Sequence, residues 1–106
     1  MTLKHVQEQV DEWAQQFKTP YWQPLEIMAR MTEEMGELAR EINHRYGPKK
    51  KKPSEQTREV ADELADLIVT ITCMANSLGI NLDECVDRTI NKLHDRDTQR
   101  FEKKEE

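Results

Sequence analysis

Between residues 60 and 78 the apolar residues Val60, Leu64, Leu67, Ile71, Met74 and Leu78 recur at steps of three and four without a miss. That period places them all on one face of a helix. A second arc, Ala61, Ala65, Ile68, Thr72 and Ala75, lies beside the first. A helix apolar over so wide an arc is buried on more than one side. In so short a chain the extra side is expected to face another subunit. This segment therefore predicts an all-α protein that associates with itself.

The rest of the chain agrees with a helical reading. Leu3, Val6, Val10, Trp13 and Phe17 predict a first helix from about Leu3 to Phe17. The run Thr19-Pro20-Tyr21-Trp22-Gln23-Pro24 breaks it, and Pro24 suits the first turn of the next helix. Met28, Met31, Met35, Leu38 and Ile42 form the stripe of a second helix, Pro24 to about Tyr46, which Gly47-Pro48 should close. Ser54 or Thr57 would cap the third helix, which continues to Leu78 and stops at Gly79. Asn81 and Glu84 have capping-box spacing at the head of a fourth helix, whose stripe is Val86, Ile90 and Leu93.

The expected architecture is a four-helix bundle-type subunit with two long antiparallel central helices. Its 106 residues make one domain, with 47–54 as a basic linker loop and 97–106 as a charged tail that frays. Lys49 to Lys52 in that linker read either as a solvated loop or as a basic flap over an anionic ligand.

Charge narrows the function. A formal charge of −5 suits no nucleic-acid polymer, whose binding rests on Lys and Arg against phosphate. The uncharged stretch Leu67–Leu82 is short for a membrane span and carries polar residues, and Met1 to Asp11 holds no apolar run. A cytoplasmic protein is expected, with Cys73 and Cys85 as reduced core thiols.

The acids carry the chemistry. Glu34 and Glu37 are three apart in the second helix, and Glu63 and Asp66 are three apart in the third. Each pair shares a helical face. Such pairs are common on exposed helices, but these sit at the edges of the apolar stripes on adjacent long helices. Antiparallel packing of the two helices would bring four carboxylates together. Their repulsion calls either for protons or for a divalent cation. All-oxygen ligands favour Mg²⁺, Mn²⁺ or Ca²⁺ over zinc.

The run Glu33-Glu34-Met35-Gly36-Glu37-Leu38, followed by Glu63-Leu64-Ala65-Asp66, resembles the EExxE…ExxD signature of the MazG-like nucleotide pyrophosphohydrolases. Ala39-Arg40-Glu41-Ile42, Leu67-Ile68, the Gly79-Ile80 turn and Asn91-Lys92 agree as well, so the likeness spans roughly Leu3 to Phe101. It implies an all-α enzyme that hydrolyses a nucleoside triphosphate to the monophosphate and pyrophosphate with Mg²⁺, Mn²⁺ being a possible substitute. It implies Glu34, Glu37, Glu63 and Asp66 as metal ligands and Glu33 as the acid that orients or deprotonates water. Asn91, Lys92 and Arg96 match positions that face the phosphates. A homo-oligomer, either a dimer or a tetramer of paired dimers, is implied too. A role in clearing the nucleotide pool would follow.

Some readings remain beside it. Trp22, in a loop, is a candidate to stack on a base, whereas Trp13 lies on a stripe and suits the core as well as the substrate. Glu41 and His44 have the ExxH spacing of di-iron sites, but no second such motif accompanies them. The competing function is a non-enzymatic helical interaction module built on the third-helix stripe. Four acids beside that stripe argue against it, because interface centres avoid charge.

Overall fold

The computed structural model describes residues 1–48, 51–52 and 59–105. Among them run four α-helices, α1 (Leu3–Ala14), α2 (Pro24–Tyr46), α3 (Val60–Ser77) and α4 (Leu82–Lys92), and a π-helical turn, Leu93–Asp97. The all-α expectation holds.

The ends show which local signals operate. Thr2 caps α1 by accepting from the His5 amide at 3.1 Å. The first helix stops at Ala14, short of Phe17. There the Gln16 and Phe17 amides turn back to the Trp13 and Ala14 carbonyls and tighten the chain. Pro24 does open α2, and the Gln23 amide donates to Glu26 Oε1 at 3.1 Å. Gly79 adopts φ +67°, and the Ile80 and Gly79 amides donate to the Ala75 and Asn76 carbonyls. That pair of bonds is a complete Schellman stop. Asn81 then caps α4 through the Glu84 amide at 3.2 Å.

The second helix ends at Tyr46 with Gly47 as its cap, as expected, whereas the start of the third helix is corrected. Gly47 is extended, at φ −97° and ψ 176°, and not left-handed. A Cβ there would collide with the Asn43 side chain and carbonyl, so close approach to Asn43 is what a side chain would disturb. The third helix begins at Val60 after an extended Glu59, and the caps expected at Ser54 and Thr57 lie outside the described residues. Lys49 and Lys50 lie outside them too. Lys51 does not stand free in solvent, because its ammonium sits 3.7 Å from the buried Glu41.

Helices α2 and α3 are antiparallel. Arg45, at the end of α2, pairs with Glu59 at the head of α3 at 2.7 Å. At the other end, Ile27 of α2 shares a pocket wall with Val69 and Cys73 of α3. Helix α1 docks on α3 through a reciprocal amide pair, Gln7 Nε2 to Asn76 Oδ1 at 2.9 Å and Asn76 Nδ2 to the Gln7 carbonyl at 3.0 Å. Past Gly79 the chain bends by 112°, and α4 lies against α1.

The seam between α2 and α3 differs from the apolar stripes. The buried residues of α2 are Ile27, Glu34 and Glu41, seven apart, and those of α3 are Glu63, Leu67, Thr72 and Ala75. The α2 stripe meanwhile leaves Met28, Met35 and Ile42 exposed, and α3 leaves Leu64, Ile68 and Ile71 exposed. Acids placed at the stripe edges are thus in the seam itself. The apolar faces look outward from the single chain. Trp13 is likewise 60% exposed, which removes it from the core.

The resulting shape is open. The radius of gyration is 17.7 Å, against about 13 Å for a compact chain of this length. No single helix among the described residues is long and apolar enough to cross a membrane.

Gly36 sits mid-helix, and a Cβ there would meet nothing within 4 Å. Glycine costs a helix interior about 1 kcal/mol relative to alanine. Gly36→Ala is therefore expected to stabilise the isolated chain by about that amount in urea unfolding. A loss of stability instead would mean that something outside the single chain occupies that space.

Candidate metal centre and adjoining pocket

The antiparallel pairing brings the middle of α2 opposite the first turns of α3. One ligand oxygen each from Glu34, Glu37 and Glu63 lies within 4.8 Å of the others. Glu63 is fully buried, Glu34 is 2% exposed and Glu37 is half-buried. Glu34 Oε1 accepts from Arg30 at 2.7 Å, and its Oε2 is buried without a hydrogen-bond partner. Three negative charges at this spacing repel strongly where water is scarce. A divalent cation removes that repulsion and uses the unmatched oxygen, so the donor set fits a hard, oxygen-seeking metal.

Asp66 follows Glu63 by one turn. It is half-buried, stands outside the tight group of three, and borders the neighbouring cavity together with Glu34. Glu33 is on the solvent side, with its side chain 66% exposed and Oε2 3.6 Å from Arg30. Asn91, Lys92 and Arg96 are exposed and do not line the cavity, and Arg96 lies 3.8 Å from its neighbour Asp97. The bend after α3 carries α4 onto α1, away from α2, so one chain does not bring these three to the carboxylates.

The cavity measures about 520 Å³. Its walls include Trp13, Phe17, Tyr21 and Trp22 on one side and Val69, Thr70 and Cys73 on the other, with Arg30, Glu34 and Asp66 at the acidic end. Trp13 and Phe17 meet edge to face with ring centroids 5.0 Å apart. A largely apolar, aromatic-walled cavity of this size that ends in carboxylates can hold an aromatic base with its charged tail toward a metal. The cysteines are free and half-buried, and burial pushes the Cys73 thiol up.

The loop that carries Trp22 is fastened by Tyr21. Its hydroxyl donates to Asp11 Oδ1 at 2.5 Å and accepts from Asn76 Nδ2 at 3.1 Å. Asp11 is lowered from its usual 3.8, chiefly by that hydroxyl, and Tyr21 is raised to about 12 by burial and then by the bond to Asp11. A lowered carboxylate adds stability above its unfolded value, and that stability is lost as pH falls through the folded one. A raised phenol adds stability that is complete below pH 10.0 and lost as pH rises toward about 12. Tyr21→Phe should therefore flatten the alkaline limb of the melting curve between those values. It should also soften the acid limb below 3.8.

Sequence reasoning missed Arg30 and the pairing of Tyr21 with Asp11, and it weighed Glu41 only for its spacing with His44, not as a buried acid of the seam. The signal for Arg30 was present, since it stands three and four residues before Glu33 and Glu34. Nothing in the pattern marked the 10-residue reach from Asp11 to Tyr21.

Comparison with known proteins completes the site. Residues 23–101 match the MazG nucleotide pyrophosphohydrolase domain, a stretch that holds all of the clustered acids. YpjD of Bacillus subtilis (strain 168) is 49% identical over 105 residues, covering 99% of this chain and 95% of that one. The crystal structure of YpjD from Bacillus subtilis superposes with a TM-score of 0.78, over 87% of this chain and 94% of that one, at 49% identity. A crystal structure of the Bacillus-conserved MazG protein, a nucleotide pyrophosphohydrolase, also gives 0.78, over 91% of this chain and 93% of that one, at 45% identity. These matches decide for an enzyme over a non-enzymatic interaction module. The chain belongs to the MazG nucleotide pyrophosphohydrolase family.

Proposed function

We propose that this enzyme hydrolyses a nucleoside triphosphate between its α- and β-phosphorus, giving the nucleoside monophosphate and pyrophosphate. Mg²⁺ would be the working cation and Mn²⁺ a substitute, held by Glu34, Glu37 and Glu63 with Asp66 beside them. The observation that carries this reading is the junction of three converging carboxylates with an aromatic cavity of about 520 Å³.

The residues divide the work. Trp13 and Trp22, exposed on the cavity wall, offer flat faces to the base. The acidic end of the cavity would repel a polyphosphate by itself, which makes the substrate's approach depend on the cation. When bound, that cation polarises phosphate oxygens and makes water a better nucleophile. Glu33, solvent-facing one turn before Glu37, would take the proton from the attacking water. As water's oxygen bonds to the α-phosphorus, the bond to the bridging oxygen breaks and pyrophosphate leaves.

Asn91, Lys92 and Arg96 would reach the phosphates only from another copy of the chain. That need, together with the exposed apolar faces of α2 and α3, supports a homo-oligomer, a dimer or a tetramer of paired dimers. A cytoplasmic role in clearing unwanted nucleotides agrees with this chemistry. The test is pyrophosphate release from a panel of ribo-, deoxy- and modified triphosphates with and without Mg²⁺. Release of orthophosphate instead, or turnover unaffected by chelator, would overturn the reading.

A further inference from the structure

Arg30 stands where the cavity meets the carboxylates. It lies one turn before Glu34 on α2, and helical side chains lean toward the N-terminus, so the Glu34 carboxylate points back to it. Its Nη2 bonds Glu34 Oε1 at 2.7 Å, and its Nη1 is 3.6 Å from Glu33 Oε2. The same side chain lines the aromatic cavity and is 49% exposed. A guanidinium has five N–H donors in a fixed fork, and a single short bond to Glu34 leaves most of them open. Among the described residues of the cavity wall Arg30 is the cationic side chain, and it is braced by a buried acid rather than free to swing.

A nucleotide seated with its base against Trp13 and Trp22 must send its phosphates toward Glu34. The first phosphate to leave the apolar walls is the one attached to the sugar. We propose that Arg30 anchors this sugar-proximal phosphate, held in place for it by Glu34. This rests on assigning the aromatic cavity to the nucleoside. The phosphate in question belongs to the substrate and stays with the monophosphate product. Arg30 therefore binds both, so the monophosphate product is held by the same contact as the substrate. The residue is a substrate-binding group set between the two parts of the site. It fixes where along the polyphosphate the cut falls, because it sets the distance from the sugar-proximal phosphorus to the carboxylates.

The chain supplies its own reporter. Its two tryptophans, Trp13 and Trp22, both line the cavity, so intrinsic fluorescence reads occupancy. The experiment titrates a nucleoside and its 5′-monophosphate into the unmodified protein, Arg30→Met and Arg30→Lys, all in chelator. Circular dichroism checks that each variant is folded. Arg30→Met is expected to bind the monophosphate about tenfold more weakly, the scale of one lost charge-assisted contact, while nucleoside binding changes by less than about twofold. Arg30→Lys, which keeps the charge without the fork, should recover part of the loss. Equal weakening of nucleoside and monophosphate would mean that Arg30 only supports the wall, and unchanged monophosphate binding would mean that it touches no phosphate. Either result overturns this assignment and leaves the cavity reading intact. No fluorescence response to the nucleoside in the unmodified protein would overturn the cavity reading, and this assignment with it.

Discussion

Glu63→Gln is expected to lower kcat/KM for triphosphate hydrolysis by at least about a thousandfold while the chain stays folded. Losing a metal ligand removes charge stabilisation that catalysis of phosphoryl transfer depends on almost entirely. Glu63 is the most deeply buried of the three converging acids. Water cannot replace it there as readily as it could replace Glu37. The substitution keeps size and hydrogen-bonding capacity but removes one of three negative charges that lie within 4.8 Å of one another. The metal-free variant should for that reason melt no lower than the unmodified protein. Addition of Mg²⁺ should raise the melting temperature of the unmodified protein clearly and that of the variant little. Activity would fall while the metal-free melting temperature does not, which a merely misfolded variant could not reproduce. Near-normal turnover of Glu63→Gln at saturating Mg²⁺ would remove the cluster from the chemistry. Glu37→Gln and Asp66→Asn extend the test outward from the buried centre, and Asp66→Asn decides whether the fourth acid, outside the tight group, holds metal as well.

The chain's local rules were readable because they act over a few residues. Pro24 at a helix start, Gly79 in the left-handed region and Asn81 as a cap each follow from the chemistry of one or two positions. The i,i+3 spacing of Glu34 with Glu37 was enough to place them on one face, and their meeting with Glu63 followed from antiparallel pairing. The seam was harder to read. Hydrophobic periodicity marks the face that is apolar, and here the face packed within the chain is partly acidic, with Glu34 and Glu41 on α2 and Glu63 on α3. A pattern method looks for the core where the methionines are and finds a surface. Gly47 closes the second helix where expected, but by a geometry that the sequence leaves open. Glycine ends helices in two ways, through a positive φ or through lack of a Cβ, and the sequence does not say which. The placement of Asn91, Lys92 and Arg96 depends on a 112° bend that no local signal encodes.

The outward apolar faces lead to the second large effect. Ile68→Glu is expected to break the assembly into single chains or to unfold it. On α2, Met28, Met35 and Ile42 are 40% to 54% exposed, and on α3, Leu64, Ile68 and Ile71 are 42% to 52% exposed. Monomeric proteins expose single apolar residues freely, but contiguous patches of this kind mark contact surfaces. The buried apolar core within one chain is small, with only Ala14, Ile27, Leu67 and Ala75 below the surface among the described residues. Chains of about this length already bury a modest fraction of their surface, and an open shape buries less. Covering several large side chains in a partner interface would contribute about 1.5–3 kcal/mol for each one fully buried. A glutamate at Ile68 would put an unpaired charge in that interface, which costs several kcal/mol, so association should fall by orders of magnitude. Light scattering of the unmodified protein should give at least twice the 12.5 kDa chain mass, and Ile68→Glu should give one chain mass or an unfolded spectrum. A scattering mass of one chain for the unmodified protein at micromolar concentration would end the oligomer proposal. It would also leave Asn91, Lys92 and Arg96 without a route to the phosphates. Lys92→Ser separates the two questions. If another copy delivers that lysine, its loss should raise KM while the scattering mass stays the same.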